Sequence, residues 1–292
     1  MFKFLRPRRF AALSYNNTHN IGDEIQTIAA MRFLPRVDAW VDRERLDEFR
    51  SWADHRIILN GWFLHQPEHW PPAKRLIPHI VSFHLTREIP GLNERKIAPH
   101  TTVLGEQGVE YLRQHEPIGT RDLDTLGQLQ SAGIKAYFSG CLTLTLSVDD
   151  AGSRGDTVYA VDVSDDVVSF LSRKCDGPVV RLTHIDTTPE GAVRMERAKA
   201  LVRGYATARL VVTSRLHCAL PCLALGTPVL FIETAADAYR FDGLRDLLHR
   251  ATDADLLNEK TDFDPNAPPP NGSGWLTLRD RLISSCENFI RG

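Results

Sequence analysis

The chain has 292 residues, and at about 150 residues per domain this length predicts two domains. Its 35 lysines and arginines nearly balance 37 aspartates and glutamates, and a net charge of −2 argues against a protein that coats nucleic acid. No apolar run approaches the roughly 20 residues that a transmembrane helix needs. Five cysteines spread along the chain do not suggest a disulfide framework. We therefore expect a cytoplasmic protein, most plausibly an enzyme, without nucleic acid as its partner.

The first ten residues, MFKFLRPRRF, are basic and aromatic. They lack the apolar stretch that follows the basic start of a secretory signal peptide. Two interpretations stay open. The segment could make a peripheral contact with an anionic membrane surface, which would place the protein at the inner face of the membrane, or it could lead into a buried first strand.

Short β-rich runs alternate with helical patterns through the first half of the chain. The pattern predicts strands at FAALSY (10–15), VDAWV, RIILNG, HIVSFHL, PIGTR and KAYFSG, and helices at IGDEIQTIAAMRF, TVLGEQGVEYLRQH and LDTLGQLQSAG. The polar stretch 147–156 is rich in Gly, Ser and Asp, as interdomain linkers are. We therefore expect an N-terminal domain over residues 1–148 and a C-terminal domain over 149–292.

The alternation is clearer in the second half. It predicts strands at TVYAVDV, PVVRLTH, RLVVTS and PVLFIE, with helices at DVVSFLSRK, VRMERAKALVRGYA and around CALPCLALG. Residues 262–274 hold four prolines and exclude a regular element, whereas 275–291 predict a last helix that could pack back on the first domain. A β-α-β series of this kind implies a parallel sheet wrapped by helices, the α/β class.

Ligands of open α/β sheets bind beyond the carboxyl ends of the strands. Strand RLVVTS leads into Ser214, Arg215 and His217. With Ser214 as the N-cap, first-turn N–H groups and Arg215 would form an anion site, and His217 would add a titratable proton donor. Pro221 predicts a kinked helix or one that begins nearer Cys218.

Strand FAALSY leads into a segment of amides and carboxylates, namely Asn17, Asn20, Asp23 and Glu24. Such groups suit a hydroxyl-rich ligand, and a carboxylate there could take a proton from an attacking hydroxyl. Plain helix capping, with Asn20 as the N-cap and Asp23 completing a capping box, explains them equally well.

Arg121 follows strand PIGTR, and Asp122 is placed to cap the next helix. Arg121 therefore points either into the same cleft or into a salt bridge with an adjacent aspartate. The loop after RIILNG adds Trp62 and His65, and aromatic rings beside polar groups can stack on sugar faces or fill a domain interface.

Three segments together resemble the polysaccharide pyruvyl transferases: NIGDEIQTIAAMRFLP, GTRDLDTLGQLQSAGIKAYFSGCLTLTL and LVVTSRLHCALPCLALGTPVLFI. The resemblance spans roughly residues 10–245 and rests on three motifs in the family's order. It implies two Rossmann-like domains facing a cleft, as in GT-B glycosyltransferases. It also implies transfer of the enolpyruvyl unit of phosphoenolpyruvate onto two hydroxyls of a saccharide, giving a pyruvate ketal and phosphate in surface or exopolysaccharide biosynthesis.

By position, the resemblance assigns phosphoenolpyruvate binding to Arg121, Arg215 and His217, and the acceptor side to Asn20 through Glu24. The chemistry of a ketal fits His217 as the acid that protonates the methylene carbon and Asp23 or Glu24 as the base. Ser214, Asn17 and Arg240 complete the expected binding set, Arg240 standing where many members carry a lysine. No metal or cofactor is required, and the acceptor could be lipid-linked.

Two other functions stay open. A GT-B glycosyltransferase that uses a nucleotide sugar would share the architecture, and Glu233 at the end of PVLFIE could contact its ribose. A non-catalytic sugar- or anion-binding module is a further alternative, against which the presence of His217 argues.

Overall fold

A computed structural model describes residues 8–16, 18–87, 98–149, 152–234 and 239–292. The elements of the first half lie in the described residues as follows: β1 (Arg9–Ser14), α1 (Gly22–Met31), β2 (Ala39–Asp42), β3 (His55–Phe63), β4 (Leu76–Leu85), α2 (Pro99–Val103), α3 (Glu106–Gln114), β5 (Ile118–Thr120), α4 (Leu123–Ser131) and β6 (Ala136–Phe138).

The second half continues with β7 (Val158–Val161), α5 (Asp165–Lys174), β8 (Val179–Leu182), α6 (Gly191–Thr207), β9 (Leu210–Thr213), α7 (Leu216–Ala224), β10 (Val229–Ile232), β11 (His249–Ala251), α8 (Asp253–Leu257) and α9 (Leu276–Arg291). Single turns of 3₁₀-helix occupy 43–48, 67–69, 142–145 and 245–247.

The strands form two sheets whose pairings are all parallel within the described residues. The first sheet has the order β2-β1-β3-β4-β5-β6 and the second the order β11-β10-β9-β7-β8. Inner strands such as β9 and β10 are buried along their whole length because helices cover both faces. Their unbroken apolar runs, LVVT and VLFI, follow from that burial.

The predicted strands are confirmed, and with them the α/β class. The predicted helices are also confirmed, except that TVLGEQGVEYLRQH is not one helix, because α2 ends at Val103 and α3 begins at Glu106. Asp122 caps α4 as expected, its carboxylate accepting a hydrogen bond from the Thr125 N–H. Residues 262–274 form no helix or strand. The sequence pattern gives no sign of β11 and α8, because both are short and neither carries an apolar run.

The two halves are joined by the loops that follow β1 and β8. The Ile21 N–H donates to the His184 carbonyl at 2.8 Å, and the Asp186 N–H donates to the His19 carbonyl at 2.7 Å. Beneath these bonds, apolar residues of α1 and α6 share one buried cluster that also includes residues of α9. The carboxyl ends of the two sheets are thereby held facing one another.

A buried ion pair lies in the same junction. Arg194 of α6 donates to Glu24 of α1 at 3.0 Å and also to the Thr18 carbonyl, and the side chains of Arg194 and Glu24 are each 4% exposed. Burial raises the pKa of Glu24 to about 7 although the Arg194 charge opposes the shift. Because the folded-state pKa lies above its ordinary value, stability from Glu24 is present at low pH and is lost as the pH rises through about 7.

The last helix packs on the first sheet although it follows the second in sequence. Leu282 and Cys286 join the buried cluster around Ile58 and Val81, and Ser285 Oγ lies 2.8 Å from His79 Nε2. All five cysteines are free thiols. Among the helices of the described ranges, none combines the length and apolar character needed to cross a bilayer.

At about pH 9, above the raised pKa of Glu24, replacing Arg194 by Met should lower the free energy of unfolding by about 3–5 kcal/mol, because the ionised Glu24 carboxylate is then buried without its cation. Lys199→Met on the same helix is the matched control, since its exposed pair with Glu196 should be worth at most about 1 kcal/mol. Urea unfolding of both variants measures the difference. The Arg194 deficit should shrink as the pH falls below about 7, because Glu24 then takes up a proton in the folded protein with or without Arg194; an unchanged deficit at about pH 5 would contradict the assignment.

Candidate active site

A cavity of about 240 Å³ lies where the carboxyl ends of the two sheets meet. Both sheets contribute to it, as the class of open parallel sheets predicts. Its described lining consists of Thr18, Asn20, Asp23, Trp62, His65 and Arg121 from the first half, and His184, Ser214, Arg215, Leu216, His217, Thr234, Arg240 and Phe241 from the second.

Arg121 forms the buried base of this cavity. Its side chain is 1% exposed, and its Nε lies 3.6 Å from Asp122 Oδ2. Neither Nε nor Nη2 makes a hydrogen bond to the residues that the structure describes. Burying a guanidinium whose N–H groups make no hydrogen bonds lowers the stability of the fold unless an anion accepts those hydrogen bonds. The salt bridge with Asp122 and the cleft position, alternatives from the sequence, both occur.

Asp122 also holds a histidine that the sequence analysis did not single out. His84, at the end of β4, is fully buried, and its Nδ1 lies 2.6 Å from Asp122 Oδ2. Burial first, and then the Arg121 charge, lower the pKa of His84 to about 4. The neutral ring therefore donates from Nδ1 to Asp122, so the carboxylate serves both His84 and Arg121.

A similar arrangement lies in the second half. Asp162 Oδ2 accepts hydrogen bonds from Arg215 Nε at 2.7 Å and from the His184 N–H at 2.9 Å. Burial would raise the pKa of Asp162, but the hydrogen bonds from Thr183 and His184 and the Arg215 charge outweigh it and lower the pKa. Arg215 is thus fixed by an ionised carboxylate while its side chain stays 37% exposed.

Ser214 does not cap α7, so that expectation is wrong. Helix α7 has Arg215 at its N-cap and no side-chain cap, and Ser214 Oγ instead donates to the Asp162 carbonyl at 2.5 Å. Of the two alternatives for Pro221, a start of the helix near Cys218 is wrong, because α7 begins at Leu216 and contains Pro221. His217 therefore lies in the first turn of α7.

The first turn of α1 packs directly on His217. A Cβ at Gly22 would lie 3.1 Å from His217 Cβ and 3.3 Å from His217 Nδ1, closer than normal contacts. The Asn20 side chain accepts from the Gly22 N–H at 3.0 Å, although α1 has Ile21, not Asn20, at its N-cap. Gly22 is thus required because the His217 imidazole, which belongs to the third motif, packs against it.

His217 Nε2 is buried and makes no hydrogen bond within the described part of the chain. Burial lowers the pKa of His217 well below its usual value, and the charges of Arg121, His184, Arg240 and His84 add to the shift. The imidazole is therefore neutral at neutral pH in the ligand-free site. To act as an acid it needs a bound anion that restores its proton affinity.

Asp23 belongs to a second wall of the cavity, formed by the first half alone. Its carboxylate contacts Gln26 Nε2 at 3.1 Å and buried Arg43 at 3.4 Å instead of completing a capping box, so that expectation is wrong. Arg43 leads on to Glu44, whose carboxylate accepts from the His65 N–H at 2.7 Å. The Trp62 ring lies 4.3 Å from the His65 ring, so an aromatic surface stands beside the carboxylate.

Of the remaining predicted site residues, some line the cavity and others do not. Arg240 lines the cavity with Asn20 and Ser214. Glu24 does not, because its side chain turns to the other side of α1 and pairs with Arg194 beside a separate cavity. Asn17 lies outside the described residues. No group of histidine, cysteine or acidic side chains in the described ranges is suited to hold a metal ion.

The sequence analysis missed His84, Asp162 and His184. Each lies at or just beyond the carboxyl end of a strand, β4, β7 and β8 respectively. That position was the available signal, since the rule that led to Arg121 and His217 applies equally to these three.

The fold is α/β, with two parallel sheets and a cavity between them whose described lining includes Arg121, Arg215 and Arg240. The chain belongs to the polysaccharide pyruvyl transferase family, whose model, described as "Polysaccharide pyruvyl transferase", matches residues 20–235. No curated protein matches the chain significantly.

Several solved structures resemble this one. The S. aureus MnaA–UDP co-structure has a TM-score of 0.51 at 9% identity, covering 98% of this chain and 97% of that chain. An uncharacterized protein from Klebsiella pneumoniae subsp. pneumoniae NTUH-K2044 has a TM-score of 0.45 at 11% identity, covering 80% and 86%. The wall teichoic acid polymerase TagF has a TM-score of 0.41 at 10% identity, covering 98% and 84%. The fold of the present chain is GT-B-like.

Replacing Gly22 by Ala should displace His217 by a few tenths of an ångström. If the cavity binds phosphoenolpyruvate, the donor proposed below, this displacement should weaken its affinity about 3- to 10-fold. Gly127→Ala is the control, since a Cβ there meets nothing within 4 Å and should stabilise α4 by about 0.5–1 kcal/mol. Calorimetric titration and urea unfolding measure the two effects. Unchanged affinity in the Gly22 variant would contradict the packing argument.

Proposed function

We propose that this protein transfers the enolpyruvyl unit of phosphoenolpyruvate to two hydroxyls of a saccharide, forming a pyruvate ketal and releasing phosphate. The observation that carries the proposal is the buried Arg121 guanidinium, whose Nε and Nη2 make no hydrogen bond to the described residues. Family membership supports the transferase class. We further propose an exopolysaccharide acceptor, lipid-linked and reached at the inner face of the membrane.

The donor fits the cationic part of the cavity. Phosphoenolpyruvate carries a carboxylate and a phosphate, and Arg121, Arg215 and Arg240 all line the cavity. Each hydrogen bond to a charged group contributes about 1.5–3 kcal/mol net, so two arginine forks could supply a micromolar dissociation constant. No cofactor is needed for this binding. In this proposal the C-terminal domain, residues 149–292, takes most of the donor, with Arg121 reaching it from the other half.

The acceptor fits the wall formed by the first half, within residues 1–148. Trp62 offers a ring on which a sugar face can stack, and Asn20 and Asp23 offer polar groups for hydroxyls. Asp23 is the base in this proposal, because Glu24 lies beside a separate cavity and is neutralised by Arg194. Thus the donor and acceptor meet between the two sheets.

A glycosyltransferase using a nucleotide sugar is the second candidate, favoured only by the architecture. Its expected ribose contact, Glu233, is instead bound by Arg250 at 3.0 Å and does not belong to the described lining of the cavity. The anion site is furthermore compact and buried at Arg121. These observations favour a small dianionic or trianionic donor.

Phosphoenolpyruvate should stabilise the protein against heat, whereas UDP-sugars should not. At a hundredfold excess over the dissociation constant the expected gain is about 2.7 kcal/mol. Arg121→Met should remove this stabilisation, and Arg181→Met, an exposed pair with Asp165, should preserve it. Stabilisation by a UDP-sugar alone would overturn the proposed donor.

Affinity for phosphoenolpyruvate should rise as the pH falls. His217 is neutral in the free site because its pKa is lowered, and the bound anion raises that pKa, so binding takes up a proton. The dissociation constant should change by up to about tenfold per pH unit between about pH 8 and about pH 6. His217→Gln should flatten this dependence and slow phosphate release by about 10²–10⁴-fold, with affinity at high pH within about tenfold. Full activity of that variant would exclude His217 as the acid.

A further inference from the structure

We propose that His184 is a second proton-transfer residue, which protonates the departing phosphate and then accepts the proton of the second attacking hydroxyl. The inference rests on the proposed function, and it assigns to the same site a group that neither the sequence motifs nor the family match identifies. Three observations carry it: the place of His184 in the described lining of the cavity, its Nδ1 without a hydrogen-bond partner among the described residues, and the hydrogen bond at Nε2.

The His184 imidazole is held in place at one ring nitrogen, as a residue that transfers protons needs to be. The residue lines the cavity although only 1% of its surface is exposed. Its Nε2 lies 2.8 Å from the Tyr205 hydroxyl, and its Nδ1 makes no hydrogen bond within the described residues. Its main chain is fixed by Asp162 at the N–H and by Ile21 at the carbonyl. Of the two ring nitrogens, Nε2 is therefore bound by Tyr205, and Nδ1 has no hydrogen-bond partner among the described residues.

Tyr205 can serve either protonation state of the imidazole. Burial raises the pKa of Tyr205 strongly, so the phenol keeps its proton. A hydroxyl both donates and accepts, so it can donate to Nε2 of one tautomer or accept from Nε2–H of the imidazolium. Cys218 and His217 pack nearby, and the Asp162 carboxylate, which binds Arg215, accepts from the main chain of His184.

The reaction needs two separate proton transfers. In the first step His217 gives a proton to the methylene carbon of phosphoenolpyruvate, the first hydroxyl oxygen bonds to C2, and Asp23 takes the hydroxyl proton. In the second step the bond from C2 to the phosphate oxygen breaks with its electron pair on oxygen, and His184 gives that oxygen a proton. The second hydroxyl then bonds to C2 and returns its proton to His184. Asp23 returns its proton to His217 through solvent, so one hydroxyl proton ends on carbon and the other on phosphate.

The position of His184 suits the leaving phosphate. The main-chain N–H of His184 and the Arg215 guanidinium both donate to Asp162, and both residues line the cavity, so His184 and Arg215 are neighbours in its wall. His84, the other buried histidine beside the site, does not belong to the described lining, and its Nδ1 is committed to Asp122. Hence His184, and not His84, is the group that can meet a ligand.

Two substitutions of His184 separate proton transfer from hydrogen bonding. His184→Asn places an amide near the Nδ1 position, which can hydrogen-bond a phosphate oxygen but cannot transfer a proton. His184→Gln places one near Nε2 and keeps the partner of Tyr205. Tyr159→Phe is the control, because Tyr159 packs edge-on against Tyr205 at 6.4 Å and does not belong to the described lining.

The assay measures phosphate release from phosphoenolpyruvate with a panel of methyl hexopyranosides bearing free diols, and calorimetry measures phosphoenolpyruvate binding in buffers of different ionisation enthalpy. We expect both His184 variants to release phosphate about 10²–10⁴-fold more slowly, with affinity within about threefold for the Asn variant. We also expect the pH–rate profile of both His184 variants to lose one of its two limbs. The Tyr159→Phe control should have the rate and the affinity of the wild type.

The outcomes are distinguishable. Turnover of the Asn variant within threefold of the wild type overturns the proton-transfer role, and equal losses of affinity and melting temperature in both variants show a structural role that also overturns it. If the wild-type protein binds phosphoenolpyruvate and releases phosphate, a negative result with the variants overturns only the role of His184. If the wild type neither binds phosphoenolpyruvate nor releases phosphate with any acceptor, the proposed function fails and the role of His184 fails with it.

Discussion

The rest of the site depends on positive charge held in a poorly solvated cleft. Three arginines but one aspartate belong to the described lining of the cavity, and Arg121 is almost completely buried. Burying a cation is costly unless a carboxylate or ligand answers it. Asp122 lies beside Arg121 and Asp162 binds Arg215, so these two carboxylates balance part of the charge and orient those two guanidiniums. In the proposed function, the anionic donor balances the remaining charge.

The same excess charge sets the state of His217. Surrounding cations and burial keep the imidazole neutral in the empty site, so its acidity arises only when an anion is bound. In the proposed function, proton transfer from His217 therefore depends on a bound anion, because His217 acquires its proton only in that complex. The close contact with Gly22 adds a geometric condition, since it places the imidazole against the helix that carries Asp23.

Much of the fold follows from sequence periodicity, and the three motifs contain half of the described lining residues of the cavity. Arg121, Arg215 and His217 are adjacent to strand ends, where a parallel sheet places its ligands. Local patterns could not separate Asp23 from Glu24, because neighbouring residues on a helix point in different directions and only the packing of α6 decides which carboxylate is paired. Local sequence rules also failed to predict the N-cap of α7. Ser214 does not cap this helix because its hydroxyl donates to the Asp162 carbonyl, 52 positions earlier in the chain. His184 and Tyr205 meet only through tertiary structure.

The depth of the two walls suggests an order of events. Arg121 lies at the buried base of the cavity, whereas the His65 side chain on the acceptor wall is 29% exposed. In the proposed function, a saccharide stacked on Trp62 would cover the buried Arg121 guanidinium from the acceptor wall and obstruct a donor that arrives after it. Donor binding before acceptor binding is the arrangement that this geometry favours. In the same proposal, this order also keeps the reactive centre away from water, because the acceptor then covers the bound donor. By that time the bound anion has already restored the proton affinity of His217.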